Sequence, residues 1–230
     1  MTEKPRPPFP RKIHKVKPPS GYPPEEGSYL RGNDFSPVVV VAILNTFDYN
    51  IPPVLEEIVR ASVESGAALA GLLQTENIGI EKVVTNVVAN PNIRYLVLCG
   101  PESKGHLSGQ TLKALVEEGV DDDKFIVGSK AATPYLFNIP MESIARFQDQ
   151  IDLIDLLNET DVAMVVEAVR ACYQERPTKF RDYEVYDIGA YPEPPICQKI
   201  TKRLTEQYLQ TDWLRFLPGM GRPPDADDSG

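Results

Sequence analysis

Residues 38–44 read VVVVAIL, the longest uninterrupted apolar run in the chain, with five β-branched side chains among the seven. β-Branched side chains in succession favour extended backbone, and a strand that is apolar on both sides must be covered on both faces. A membrane helix needs roughly 20 apolar residues. The run therefore predicts a central strand of a parallel sheet. Downstream, Pro52 and Pro53 open residues 54–64, where Leu55, Ile58, Val59 and Ala61 share one helical stripe. A second apolar stretch at 67–73 leads into Gln74-Thr75-Glu76-Asn77; Asn77 is a good N-cap, and Ile80, Val83, Val84, Val87 and Val88 follow at helical spacing until Asn90-Pro91. Residues 94–99 predict the next strand, 100–107 a loop, and Ser108 the cap of a helix that Gly119 stops. A strand at 125–127, a helix at 141–147, a strand at 151–157 and a helix at 161–173 complete the alternation. Strands separated by helices of this length build an α/β, doubly wound, mostly parallel, Rossmann-like sheet, and ligands in such sheets sit outside the carboxyl ends of the strands.

Around this core the composition divides the chain. With 230 residues, 42% hydrophobic and 25% charged, one globular domain is expected, plus appendages. Residues 1–24 hold six Lys or Arg, one acid and eight Pro, and predict a basic, flexible arm. That arm carries +5 of a net −9, leaving −14 for the rest. An acidic body makes a poor nucleic-acid binder. Residues 25–176 are the expected domain, and 177–220 an extension for packing or oligomerisation, with a helix at about 196–209 and the lone Trp213; 221–230 predict a disordered tail. No apolar stretch reaches spanning length and no secretory signal is read, so the expected location is the cytoplasm. Cys99, Cys172 and Cys197 form no C-x-x-C pair and are expected to be reduced thiols.

Chemistry is sought in the loops that follow the strands. The loop 100–107, GPESKGHL, has the glycine spacing of a phosphate-binding loop, yet His106 and Leu107 stand where a lysine and a hydroxyl are required. Nucleotide hydrolysis is excluded on that ground. The chain has two histidines, and His14 lies in the arm, so His106 is the imidazole the domain offers. It has an ordinary reading as a surface or helix-terminus histidine. Three functional readings stand beside it: general base for Cys99 or Ser108, with no acid placed by sequence to orient it; ligand in a protein-only metal site, for which it lacks companions; or axial ligand to a metal held by a macrocycle.

Four stretches then carry a resemblance: Gly21-Tyr22-Pro23; TENIGIEKVVTNVVANPNIRYLVLCG at 75–100; GHLSGQ at 105–110; and FIVGSKAATPYLFNIP at 125–140. From residue 21 to about 173 the chain resembles the cobamide-carrying A subunit of tetrahydromethanopterin S-methyltransferases. The resemblance implies a corrinoid-binding domain with a cobamide as cofactor and His106 as the axial ligand of its cobalt. It also implies a methyl carrier, working between a methyl-tetrahydropterin methyltransferase (tetrahydromethanopterin or tetrahydrofolate) and an acceptor such as a thiol. Partner methyltransferase subunits follow, and self-association is left open. The membrane-bound member of the family ends in a transmembrane helix; no such span is expected here. A corrinoid-binding or regulatory homologue without methyl transfer is the alternative.

On this reading the residues placed at the cofactor are Thr75, Glu76, Asn77, Gly100, Gly105, His106, Leu107, Ser108, Gly109, Gln110, Gly128, Ala131 and Pro134. Gly105 and Gly109 keep side chains off the macrocycle, Glu76 and Asn77 meet its amides or cap a helix, and residues 128–134 wall the opposite side. Imidazole ligates only when neutral, so acid near its reference pKa of about 6.5 weakens the bond. The D-x-H-x-x-G motif of other corrinoid enzymes is half present: His106 and Gly109 match, but Lys104 replaces the aspartate. The expectation is an imidazole without its supporting carboxylate, and loosely held.

Overall fold

The computed structural model describes residues 14–46 and 50–200 of the chain. Every side chain of β2 (Val38–Ile43) is buried. Val39, Val41 and Ile43 enter one apolar cluster; Val38, Val40 and Ala42 enter the other. This is the two-residue period of a strand covered on both faces. β2 pairs in parallel with β3 (Leu69–Leu73) on one side and β4 (Tyr95–Gly100) on the other, and β4 pairs in parallel with β5 (Asp152–Leu157). The short β1 (Tyr29–Arg31) closes the β3 edge antiparallel, giving the order β1-β3-β2-β4-β5.

Helices cover both faces. Leu55 and Ile58 of α1 (Pro53–Glu64) pack with Val165 and Val169 of α5 (Val162–Cys172) on one. Ile80 and Val84 of α2 (Ile78–Val88), Leu112 and Leu115 of α3 (Ser108–Glu118), and Ile144 and Phe147 of α4 (Met141–Gln150) pack on the other. The chain steps outward from β2 to β3 through α1, then back across β2 to β4 through α2. Reversing direction requires the connecting helix to change face if handedness is kept, and it does. The expected α/β, mostly parallel, doubly wound sheet is the observed one. Its winding reverses between β2 and β4, so the crevice lies at their carboxyl ends.

Four expectations are corrected or bounded. Residues 125–127 are not a strand of the sheet but make two isolated antiparallel bridges, Val120 with Ile126 and Phe125 with Tyr135. The segment is short, follows Asp121-Asp122-Asp123 and ends at Gly128, while β5 already occupies the outer edge of β4. The arm divides at His14. Residues 1–13 lie outside the described residues, whereas the backbone of Val16 exchanges hydrogen bonds with the Asn92 amide, Lys15 pairs with Asp187 at 2.6 Å, and Tyr22 is buried. Of the helix expected at 196–209, residues 196–200 are not helical and the rest fall outside the described residues, as do Trp213 and residues 221–230. The extension begins instead as a hairpin, β6 (Thr178–Phe180) and β7 (Tyr183–Val185), whose Phe180 and Val185 join the α1/α5 cluster. Further on, the Tyr191 ring lies against the guanidinium groups of Arg94 and Arg146. Among the described residues no helix is long and apolar enough to cross a membrane.

Candidate functional site

At the carboxyl edge of the sheet, the loop after β3 and the loop after β4 meet. Glu76, just past β3, is 2% exposed, and its Oε2 lies 2.5 Å from Nδ1 of His106 in the loop after β4. The other carboxylate oxygen accepts a hydrogen bond from the Thr133 hydroxyl at 2.7 Å, and the Asn77 amide donates to that same hydroxyl at 3.3 Å. Burial alone pushes the Glu76 carboxyl up. Its own backbone N–H, the Thr133 hydroxyl and the His106 ring outweigh this and hold it below the usual carboxylate range. An ionised carboxylate only accepts, so Nδ1 of His106 is the donor in this contact, and in the neutral ring Nε2 is then the nitrogen with the lone pair. The His106 side chain is 35% exposed, at the rim of a site whose anchor is interior.

This corrects the expectation of a loosely held imidazole. The carboxylate that Lys104 displaces from the local motif is supplied from 30 residues upstream by Glu76. The adjoining loop is equally determined. Glu102 folds its carboxylate back onto the N-terminus of α3, accepting from the backbone N–H groups of Ser103 (2.7 Å), Gly109 (3.0 Å) and Gln110 (2.7 Å). These N–H groups and the helix dipole are what a phosphate-binding loop turns toward an anion, and here a side chain takes that place. Ser108 is not the cap. Leu107 precedes the helix in the left-handed conformation, φ 48°, and the buried Ser108 hydroxyl donates to the Gln74 carbonyl, tying α3 to the end of β3. Glu102 is a cap that the sequence reading misses; a carboxylate shortly before a helix N-terminus is the signal that was available.

The other expected residues divide by role. Thr75 accepts from the Gly79 backbone N–H and Asn77 from that of Ile78, so both cap α2. Gln110 braces the next loop, its amide donating to the Gly128 carbonyl and accepting from the Lys130 N–H. Ser129 makes a hydrogen bond with Thr111 and accepts from the Ala131 N–H, and the buried Pro134 accepts from Ile126. Residues 128–134 are thereby moored to α3 and carry Thr133 to Glu76. Thr133 has no local sequence signal of its role. A Cβ on Gly100 would stand 2.8 Å from the Ile43 nitrogen, so that glycine serves strand packing. Gly105 differs: φ is +90° and a Cβ would meet no atom within 4 Å.

Gly109 faces inward, with its missing Cβ 2.4 Å from Leu157 Cδ1 and 3.2 Å from Ile43 Cγ1. Gly109→Ala is expected to destabilise the chain by about 1–3 kcal/mol, the range for overfilling a packed interior. Urea denaturation measures it; an unchanged midpoint would mean that Leu157 yields without cost. The pairing of His106 with a nucleophile finds no support. Cys99 is fully buried and desolvation pushes its thiol up to about 12, while the Ser108 hydroxyl is buried and already bonded. Among the described residues no three His, Cys, Asp or Glu side chains converge as a metal-binding group.

Residues 15–190 match the family model for the A subunit of tetrahydromethanopterin S-methyltransferase. The chain is 42% identical over 198 residues to the A subunit of that enzyme from Methanopyrus kandleri, covering 85% of this chain and 72% of the relative. It is also similar to two such proteins of Methanothermobacter marburgensis, distinguished by number. Identity to the first is 40% over 171 residues, 74% of this chain and 67% of the relative. Identity to the second is 39% over 197 residues, 85% of this chain and 95% of the relative.

Proposed function

This chain belongs to the family of tetrahydromethanopterin S-methyltransferase A subunits, and from that membership we propose that it is a cytoplasmic methyl carrier that binds a cobamide through His106. The observation that carries the reading is the 2.5 Å contact between His106 Nδ1 and the buried Glu76 carboxylate. Metal-ligating histidines characteristically give their other N–H to a carboxylate, which fixes the tautomer and raises the basicity of the ligating nitrogen. A lone imidazole so supported suits a metal whose remaining bonds come from a macrocycle.

When bound, the corrinoid's cobalt supplies the position at which a methyl group is taken up and released. The protein's part is to present one nitrogen there. With Nδ1 engaged by Glu76, Nε2 is the ring nitrogen that would hold the cobalt. The Thr133 hydroxyl, which accepts from the Asn77 amide, donates to the Glu76 carboxylate and holds it against rotation. Gly105, with open space where a side chain would project, lets a flat macrocycle approach the His106 loop. The mooring of residues 128–131 by Gln110 gives the site a second wall. Partner methyltransferase subunits would then bring the methyl donor, a methyl-tetrahydropterin, and an acceptor such as a thiol.

Incubating the purified full chain with hydroxocobalamin and desalting it is expected to leave near-stoichiometric corrinoid, with a visible spectrum displaced from that of the unbound compound. A colourless protein after desalting would end the proposal.

A further inference from the structure

Three aromatic side chains form a ladder beside the candidate site. Phe125 meets Tyr135 edge to face, with centroids 5.0 Å apart at 72°, and Tyr135 stacks parallel on Phe137 at 4.9 Å and 6°. The terminal ring has no such cover: Phe137 is 65% exposed, the most exposed of the large hydrophobic side chains among the described residues. Pro134 and Leu136 are buried, whereas Thr133 and Phe137 are exposed and Tyr135 half-buried, so these three lie on the solvent side of the segment. Thr133 is the residue bonded to Glu76, so this face is continuous with the support of His106. The Tyr135 backbone N–H donates to the Thr133 carbonyl in a tight turn, so the ladder begins beside the site, and it descends along α2, where the Asn138 amide and backbone N–H bond to Glu81.

The occupant follows from the chemistry of the group the site is proposed to hold, and the inference rests on that reading. A cobamide's nucleotide tail leaves the macrocycle on the same face as its lower axial ligand. If His106 takes that axial position, the tail's own base is displaced and must lie against the protein on His106's side. We infer that the Tyr135–Phe137 ring pair is the stacking platform for this heteroaromatic base. An outward, parallel-stacked ring with an open face suits the π-face of a base, and its preference for offset stacking does not require hydrogen-bond readout. The same surface thereby tolerates different lower bases.

The test compares affinities of the full chain for hydroxocobalamin and for cobinamide, which keeps the macrocycle and cobalt but has no base, by titration calorimetry. Phe137→Ala is expected to weaken cobalamin roughly tenfold, the scale of one base–aromatic stack, and to leave cobinamide unchanged. Phe137→Leu, which keeps apolar area without a ring, behaves like alanine, and Phe137→Trp behaves like wild type. Circular dichroism confirms that these exposed substitutions leave the fold intact. Equal loss for both corrinoids, loss for neither, or a leucine variant equal to wild type overturns the platform while leaving the carrier reading in place; the last two also fit a surface that meets a protein partner instead. A wild-type chain that binds neither corrinoid overturns both.

Discussion

Alanine at position 106 is expected to erase a protein-derived nitrogen signature from the cobalt while most of the corrinoid stays bound. In the divalent state, cobalt coupled to one axial nitrogen shows a triplet superhyperfine pattern, and uniform ¹⁵N labelling of the protein alone turns it into a doublet. Because the label resides only in the protein, the doublet separates an imidazole from the base carried by the cobamide. The wild-type chain is expected to give the doublet and His106→Ala to give none, since the domain's sheet edge offers this one imidazole. Affinity is expected to fall by only about tenfold, ~1.4 kcal/mol. A macrocycle of this size derives most of its contact from enclosure rather than from one bond. A doublet that survives in the variant removes His106 from the cobalt.

That residue was legible in the sequence, and its environment was not. Counting histidines and placing residues 100–107 after a strand isolated His106 without any long-range information. Glu76 was equally visible as a polar residue past a strand, but its partner is 30 positions away, and only the adjacency of β3, β2 and β4 brings the two loops together. Local motif matching pointed the wrong way, because Lys104 fills the position that an aspartate holds in the D-x-H-x-x-G motif. Gly109 shows a second limit. A glycine beside a functional residue suggests clearance for a ligand, yet its hydrogen faces Leu157 and Ile43, a contact set by tertiary packing.

The fold divides in the same way. β2, β3 and β4 were legible because a doubly buried strand needs an unbroken apolar run, and α2 because its apolar stripe lies between an Asn cap and an Asn-Pro stop. β1, β6 and β7 are three residues each and gain their stability from pairing and from single buried side chains such as Phe180. No periodicity can show in so short a segment. Residues 14–24 looked unable to bury anything, yet the Asn90 and Asn92 amides satisfy the adjoining chain and Tyr22 supplies the buried surface.

Glu76→Gln is the sharper probe of how the imidazole is supported, because it removes a charge and almost no volume. In one orientation the new amide donates to Nδ1, which forces the ring proton onto Nε2 and leaves no lone pair for cobalt. In the other, its oxygen still accepts from Nδ1, but the Thr133 hydroxyl then faces an N–H instead of an acceptor, and the ligand loses the basicity a carboxylate confers. Either way the corrinoid affinity is expected to fall by up to about tenfold, the whole loss expected of His106→Ala and the low end of what losing a carboxylate behind a metal ligand costs, and the ¹⁵N doublet to weaken in proportion. Glu76→Asp keeps the charge but withdraws it by one methylene, so it is expected to lie between the wild type and Gln. A purely structural Glu76 predicts something else: lost stability with an unchanged doublet in whatever folds. The decisive comparison is the double substitution. Once His106 is alanine, Glu76→Gln is expected to cost no further corrinoid affinity, because the carboxylate acts only through the ring it holds. An additive loss in the double variant would show that Glu76 meets the cofactor directly.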